Sequence, residues 1–317
     1  MDPKKRKLLL FVSCALVSVF FSAGALSDIL RHGRPADYYI HIPLIPIISA
    51  YVLFQRRKLL FWEERGAHPV GVLVLCAGLA LLAVDKARHP ALIEHVELTV
   101  SGAILFLAGS FVALFGRRSF VRARFPFLFL VFMIPLPAAW MERIVAVLVT
   151  GATWATQLLF WVFNVPFVRE GAVFRLPGFD LQVARECSGI RSSLALLITS
   201  VLAGQIFLRA RWKKMTLAVA VLPITVLKNA VRIVTLYLLS YFIDIRIIEG
   251  GFLHRSGGFV FFGLGLVMLA FALWALKSPR DAWAGLFGVR EYGVPKALDK
   301  RPSVSDNVAG KESGGFK

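Results

Sequence analysis

Runs of about 20 apolar residues, repeated along one chain, leave few folds open. A helix of about that length crosses a bilayer core, and a soluble domain has no single core large enough to hide so many of them. Eight such runs can be drawn, at roughly 8–30, 36–55, 69–84, 98–116, a broken run within 126–163, then 188–208, 215–243 and 257–276. Charged residues make up only 18% of the chain, against about a quarter in ordinary soluble domains. The expected fold is therefore all-α: a polytopic helical membrane protein of about eight transmembrane helices, spanning residues 1–278. The polar stretch 279–317, rich in Gly, Ser and Lys, is expected to be a disordered cytoplasmic tail.

The net charge of +18 raises the question of nucleic acid. The basic residues answer it by their placement, since they sit in short clusters between apolar runs rather than on one face. These clusters are Lys4–Lys7, Arg56-Arg57-Lys58, Arg117-Arg118 with Arg122 and Arg124, and Arg209, Arg211, Lys213 and Lys214. That is the pattern of cytoplasmic membrane loops, so the expected partner is membrane lipid and not nucleic acid. With these clusters inside, both termini are cytoplasmic, and the loops near 31–35, 85–97, 164–187 and 244–256 lie outside. This topology requires 126–163 to cross a net single time. Phe125-Pro126 and Ile134-Pro135-Leu136-Pro137 break helix geometry, so 126–137 is expected to be a short broken or re-entrant piece. A second full span there would invert everything downstream. The first run follows Lys4–Lys7 but is too long for a signal peptide, and reads as a signal anchor.

One outer segment differs from the rest. Val168 to Leu176 alternates apolar and polar residues, Pro177-Gly178 follows, and Phe179 to Val183 alternates again. That is the pattern of a small extracytoplasmic β-hairpin. It leads into Ala184-Arg185-Glu186-Cys187-Ser188-Gly189-Ile190-Arg191, where a helix begins. A thiol at a helix N-terminus feels the positive end of the helix dipole, which favours thiolate. Arg191, one turn on, adds to that field. The bland alternative is an inert cysteine at a helix cap, and this stretch alone does not separate the two. Cys14 and Cys76 fall inside apolar runs and read as small core residues. Three scattered cysteines make neither a disulfide framework nor a metal site, and no metal or cofactor is expected.

Two further residues invite a role. Arg232, in Asn229-Ala230-Val231-Arg232-Ile233, lies inside an apolar run. A charge at such depth costs roughly 2.5–3.5 kcal/mol on insertion scales, so it is a functional candidate by default. It is 11 residues short of Ile243, or about 16 Å from the outer end of its helix. Asn229 shares its face at i,i+3. Lys228, one turn deeper, reads as structural. His254 precedes the last run, with Gly250-Gly251 and Gly257-Gly258 on either side and Glu249 as a weak candidate to orient its ring. Each has a structural alternative. Together they supply a thiolate, a proton carrier and a cation, the set that acyl transfer needs, and the drawn topology turns all three outward.

At this point the residues resemble the exosortase and archaeosortase family of membrane protein-sorting enzymes. The match lies in Glu186-Cys187-Ser188-Gly189-Ile190-Arg191-Ser192, in Asn229-Ala230-Val231-Arg232-Ile233, in His254 before a glycine-containing final run, and in Phe132-Met133-Ile134-Pro135-Leu136-Pro137. It covers roughly 35–276, and the cysteine block is its specific part. The resemblance implies a cysteine protease or transpeptidase of the inner membrane. Cys187 would be the nucleophile, His254 the general acid and base, and Arg232 the oxyanion or substrate stabiliser. It also implies substrates with a C-terminal sorting signal: a Pro-Glu-Pro type motif, a transmembrane helix and a basic tail. An envelope polysaccharide or lipid would be the acceptor, with a link to exopolysaccharide export. Arg185, Arg191 and Asn229 are expected to contact the substrate, and Arg185, Arg191 and Arg232 to attract an acidic residue of the motif.

Two rival readings use the same residues. A small-solute transporter also places Lys228 and Arg232 in the membrane beside a Pro-broken helix, and would show inverted repeats; none is visible. A non-catalytic assembly factor for exopolysaccharide or envelope export would keep Cys187 as a structural residue.

Overall fold

A computed structural model describes residues 3–32, 41–55, 68–88, 92–183, 189–242 and 252–277. Among them, eight α-helices follow in order: α1 (Pro3–His32), α2 (Leu44–Gln55), α3 (Pro69–Arg88), α4 (Leu92–Leu130), α5 (Ala138–Val162), α6 (Ile190–Phe207), α7 (Arg211–Phe242) and α8 (Phe252–Leu276). Seven are long and apolar enough to cross a membrane; α2, with 12 residues, is the short one. The run expected at 36–55 thus yields a short helix, its first residues lying outside the described ones. The tail expected at 279–317 also lies outside the described residues.

The first half of the chain is stitched through small residues. A Cβ placed on Gly78 of α3 would sit 2.5 Å from the Phe106 nitrogen of α4, and one on Gly109 of α4 would sit 2.3 Å from the Leu75 nitrogen of α3. The two backbones therefore touch directly, which is how apolar helices gain packing where lipid offers no hydrophobic drive. Ser18 of α1 donates a hydrogen bond to the Ala103 carbonyl of α4 at 2.9 Å, and joins α1 to the pair.

Within α4 the helix breaks at Gly116, at φ +82°, a conformation open to glycine without a Cβ penalty. The chain doubles back there. Phe127 packs against Phe111 with the rings tilted and their centroids 5.0 Å apart, and Phe11 of α1 lies 5.3 Å from Phe111. The turn carries Arg117 and Arg118 and faces the end of α1 that bears Lys4–Lys7. A 3-10 turn at Val131–Met133 and an irregular link through Pro135-Leu136-Pro137 follow. The helix runs on through Pro126 to Leu130, so the expected 126–137 piece is broken only from Val131 through Pro137 and not at Pro126; one long helix, α5, fills the remainder of the stretch.

A small antiparallel sheet connects α5 to α6. Its strands are β1 (Val168–Glu170), β2 (Val173–Leu176) and β3 (Phe179–Gln182), in the order β1-β2-β3. The expected hairpin is its second half. An extra strand arises because Gly171 adopts φ +62° and turns the chain once more, pairing Glu170 with Val173. The sheet is bolted to the helices by aromatic rings: Phe160 of α5 lies 5.3 Å from Phe174 of β2 and 5.5 Å from Tyr237 of α7. All three are buried. On the same face Arg169, the cross-strand partner of Phe174, lies over the Trp154 ring at 4.5 Å and donates to Gln157 of α5.

Candidate active site

The site is built where the sheet hands the chain to α6. Val183, the residue after β3, donates its N–H to the Ala172 carbonyl at 2.9 Å. It is buried in one apolar cluster with Phe160, Ile233, Val234 and Tyr237. Residues 184–188, with Arg185 and Cys187 among them, lie outside the described residues. Description resumes at Gly189, which caps α6 in the left-handed conformation at φ +66°. A Cβ on Gly189 would sit 2.4 Å from the Asn229 Nδ2 of α7. Glycine is therefore doubly required: for its φ, and because Asn229 packs on its backbone. Both anchors of the Cys187 segment thus rest on α7, at Asn229 and in the cluster around Ile233 to Tyr237.

The Gly189 carbonyl gathers three donors: the Ser193 N–H at 2.9 Å, and the Ser192 and Ser193 hydroxyls, each at 2.8 Å. Serines at the start of a helix fold their side chains onto the preceding carbonyls in this way. Ser192 in turn accepts a hydrogen bond from the Lys228 Nζ of α7.

Arg232 lies one turn beyond Lys228 on α7, and its Nε is buried with no hydrogen-bond acceptor among the described residues. Its depth is explained by the length of α7. The helix has 32 residues, about 48 Å at 1.5 Å per residue, against roughly 30 Å of hydrocarbon. With Arg211, Trp212, Lys213 and Lys214 anchoring one interface, Arg232 is 21 residues on, or about 32 Å, which is the level of the opposite interface. The last ten residues of α7 rise beyond it, and the sheet covers Tyr237 there. A reading measured down from Ile243 makes Arg232 deep; the sheet-covered extension makes it interfacial.

The remaining expected residues fall around this point. Arg191 is exposed in the first turn of α6, and Asn229 is buried. His254 belongs to the first turn of α8, a helix fixed against α7 where a Cβ on Gly265 would lie 3.2 Å from Lys228 Cδ. His254 is 11 residues before Gly265, about 16 Å toward the sheet end. Its side chain and Glu249 lie outside the described residues. Among the described residues no group of His, Cys, Asp and Glu could hold a metal ion. The sequence reading gave no role to Ser192, Ser193 or the Gly189 contact with Asn229. Their signal was only a serine pair after a glycine, next to an Asn in a distant apolar run.

Two of the three sequence blocks, 186–192 and 229–233, are thus brought into contact through Gly189 and Asn229, and the third begins the helix that packs beside them. The arrangement sets a helix start with clustered serine hydroxyls, a half-buried arginine one turn beyond Lys228 on α7, and the sheet beside one another. The model of the transmembrane exosortase family matches residues 32–271, about three-quarters of the chain. Neither a curated protein nor a solved structure matches it.

Proposed function

The chain belongs to the transmembrane exosortase family and is a multi-pass membrane protein; on that premise we propose that it cuts C-terminal sorting signals of exported proteins by cysteine chemistry at Cys187. The observation that carries this reading is the contact between Gly189, two residues after the cysteine, and Asn229, three residues before Arg232. It joins the two charged blocks of the sequence at one height of the bundle.

The reaction runs in two halves. The Cys187 thiolate attacks the carbonyl carbon of the scissile peptide bond, and Arg232 stabilises the resulting oxyanion. Collapse breaks the C–N bond while His254 gives a proton to the departing amine, which leaves with the substrate's transmembrane helix and basic tail. A thioester remains. His254 then takes a proton from the acceptor, whose oxygen or nitrogen attacks the thioester, and Cys187 departs as thiolate. Arg185, Arg191 and Asn229 hold the motif, the two arginines through its acidic residue. The acceptor is an envelope polysaccharide, lipid or amine in transpeptidation, or water in hydrolysis.

The site faces outward from the inner membrane, with both termini in the cytoplasm. The basic clusters support this, since Lys4–Lys7 and Arg117-Arg118 share one end of the first half and Arg209 to Lys214 lie at the end of α6 and α7 away from the sheet. The test is co-expression with a protein carrying such a C-terminal signal. The wild type should release the shortened product, while Cys187→Ala should insert and fold equally well and leave the precursor intact. Cleavage surviving in Cys187→Ala would return the chain to the non-catalytic assembly reading.

A further inference from the structure

Lys228 is 2% exposed on a helix surrounded by apolar neighbours, and no acidic side chain among the described residues pairs with it. A buried ammonium with no counter-ion among the described residues is a functional candidate by default. Its surroundings are built for it. The stem runs along α8 at Gly265, where an added Cβ would lie 3.2 Å from Lys228 Cδ and 2.9 Å from Leu196 Cδ1 of α6. α8 thus withholds a side chain at the point where the lysine passes. The amino group then donates to Ser192 Oγ, and that hydroxyl donates to the Gly189 carbonyl at 2.8 Å.

The direction of these bonds decides between two roles. A nucleophilic Ser–Lys pair needs a neutral amine that accepts the serine proton. Here the Ser192 proton is committed to Gly189, and the lysine is the donor. The chain of bonds therefore runs from a cation through a hydroxyl to the carbonyl of the residue that caps α6, and each link polarises the next. It ends two residues from Cys187. The described charge that acts on the lysine is Arg232, one turn on along α7, and it too is positive.

We propose that Lys228 is a positioning residue for the nucleophile: through Ser192 it fixes the Gly189 turn, two residues after Cys187 in the chain, and it brings a buried positive charge to that turn. This rests on the reading of Cys187 as the nucleophile and adds a residue to it. The bridge also ties α6, α7 and α8 at one height, so the start of α8, and His254 with it, is set relative to the same turn.

The experiment reads Cys187 directly, without substrate. Full-length protein carrying Cys14→Ala and Cys76→Ala, so that Cys187 is the remaining thiol, is purified in detergent and alkylated with a small maleimide across a pH series. Lys228→Met keeps the stem against Gly265 and removes donor and charge. It should displace the alkylation profile to higher pH and slow the reaction at pH 7 by about tenfold. Lys228→Arg should recover most of the wild-type profile. Ser192→Ala, which cuts the bridge and keeps the charge, should give a smaller displacement. A wild-type profile in both Lys228→Met and Ser192→Ala overturns the proposal, including where the melting temperature falls, because a merely structural lysine would move the melt and leave the profile alone. If Lys228→Met fails to fold, Ser192→Ala decides: an unchanged profile overturns the proposal and a displaced one supports it. Sorting that survives Cys187→Ala would instead remove the assigned reaction while leaving the alkylation readout intact, so the two failures are distinguishable.

Discussion

Two buried clusters among the described residues carry a charged side chain, and they are built on opposite principles. In the first half, Asp85 of α3 is 5% exposed and fully answered: one carboxylate oxygen lies 2.8 Å from His95 Nδ1, and the other accepts from Thr99 Oγ1 at 2.8 Å. All three residues belong to one helical hairpin. The acid has its donors, and the cluster is closed. In the second half, Lys228 and Ser192, 36 residues apart in sequence, join the consecutive helices α6 and α7, with Arg232 beside them and its Nε unanswered among the described residues. This cluster has positive charge and no described acid. A closed cluster does a clamp's work; an open cationic one has capacity left for a negative charge that arrives or develops, which is what a tetrahedral oxyanion brings.

The contrast can be broken most forcefully at Arg232. Arg232→Ala should cut processing of a sorting-signal substrate by at least about a hundredfold, the scale of losing an oxyanion donor, while the melting temperature stays near wild type; a collapse of the melt instead would make the arginine a second clamp. Asp85→Ala should do the reverse. It strands His95 and Thr99 and should cost about 1–3 kcal/mol of stability, read as a lower melt in detergent, with turnover per folded molecule unchanged. Thr99→Val keeps the shape, removes one of the two donors and should cost roughly 1 kcal/mol. The smallest effect belongs to Glu170→Gln, which breaks the exposed pair between Glu170 and Arg175 on the sheet; it should shift stability by less than about 0.5 kcal/mol.

Much of this architecture was readable before any coordinates. Seven of the eight expected runs became long helices, because 20 apolar residues in a row have few other fates. What the pattern missed has physical reasons. The reversal at Gly116 depends on one positive φ, and a glycine between an apolar run and four arginines looks the same in a straight helix. The extra strand depends on Gly171 in the same way. The interfacial height of Arg232 depends on the sheet covering the end of α7, a tertiary fact that hydropathy does not carry. From the sequence Lys228 reads as structural, and its bridge to Ser192 spans a distance in sequence that no periodicity reports.

Of the candidate site, the blocks around residues 189 and 229 were legible as motifs, but their contact was not. The roles of Cys187 and His254 still rest on the sequence and on the family, because the cysteine and the histidine side chain lie outside the described residues.

The account turns on a covalent bond to one sulfur. Purified wild-type protein should be mixed with a protein bearing the C-terminal sorting signal, quenched in acid, and digested for peptide mass spectrometry. The account predicts a hydroxylamine-labile thioester joining the substrate's new C-terminus to Cys187, and no such adduct in Cys187→Ala. A substrate adduct on another residue, or cleavage that proceeds in Cys187→Ala, would contradict it.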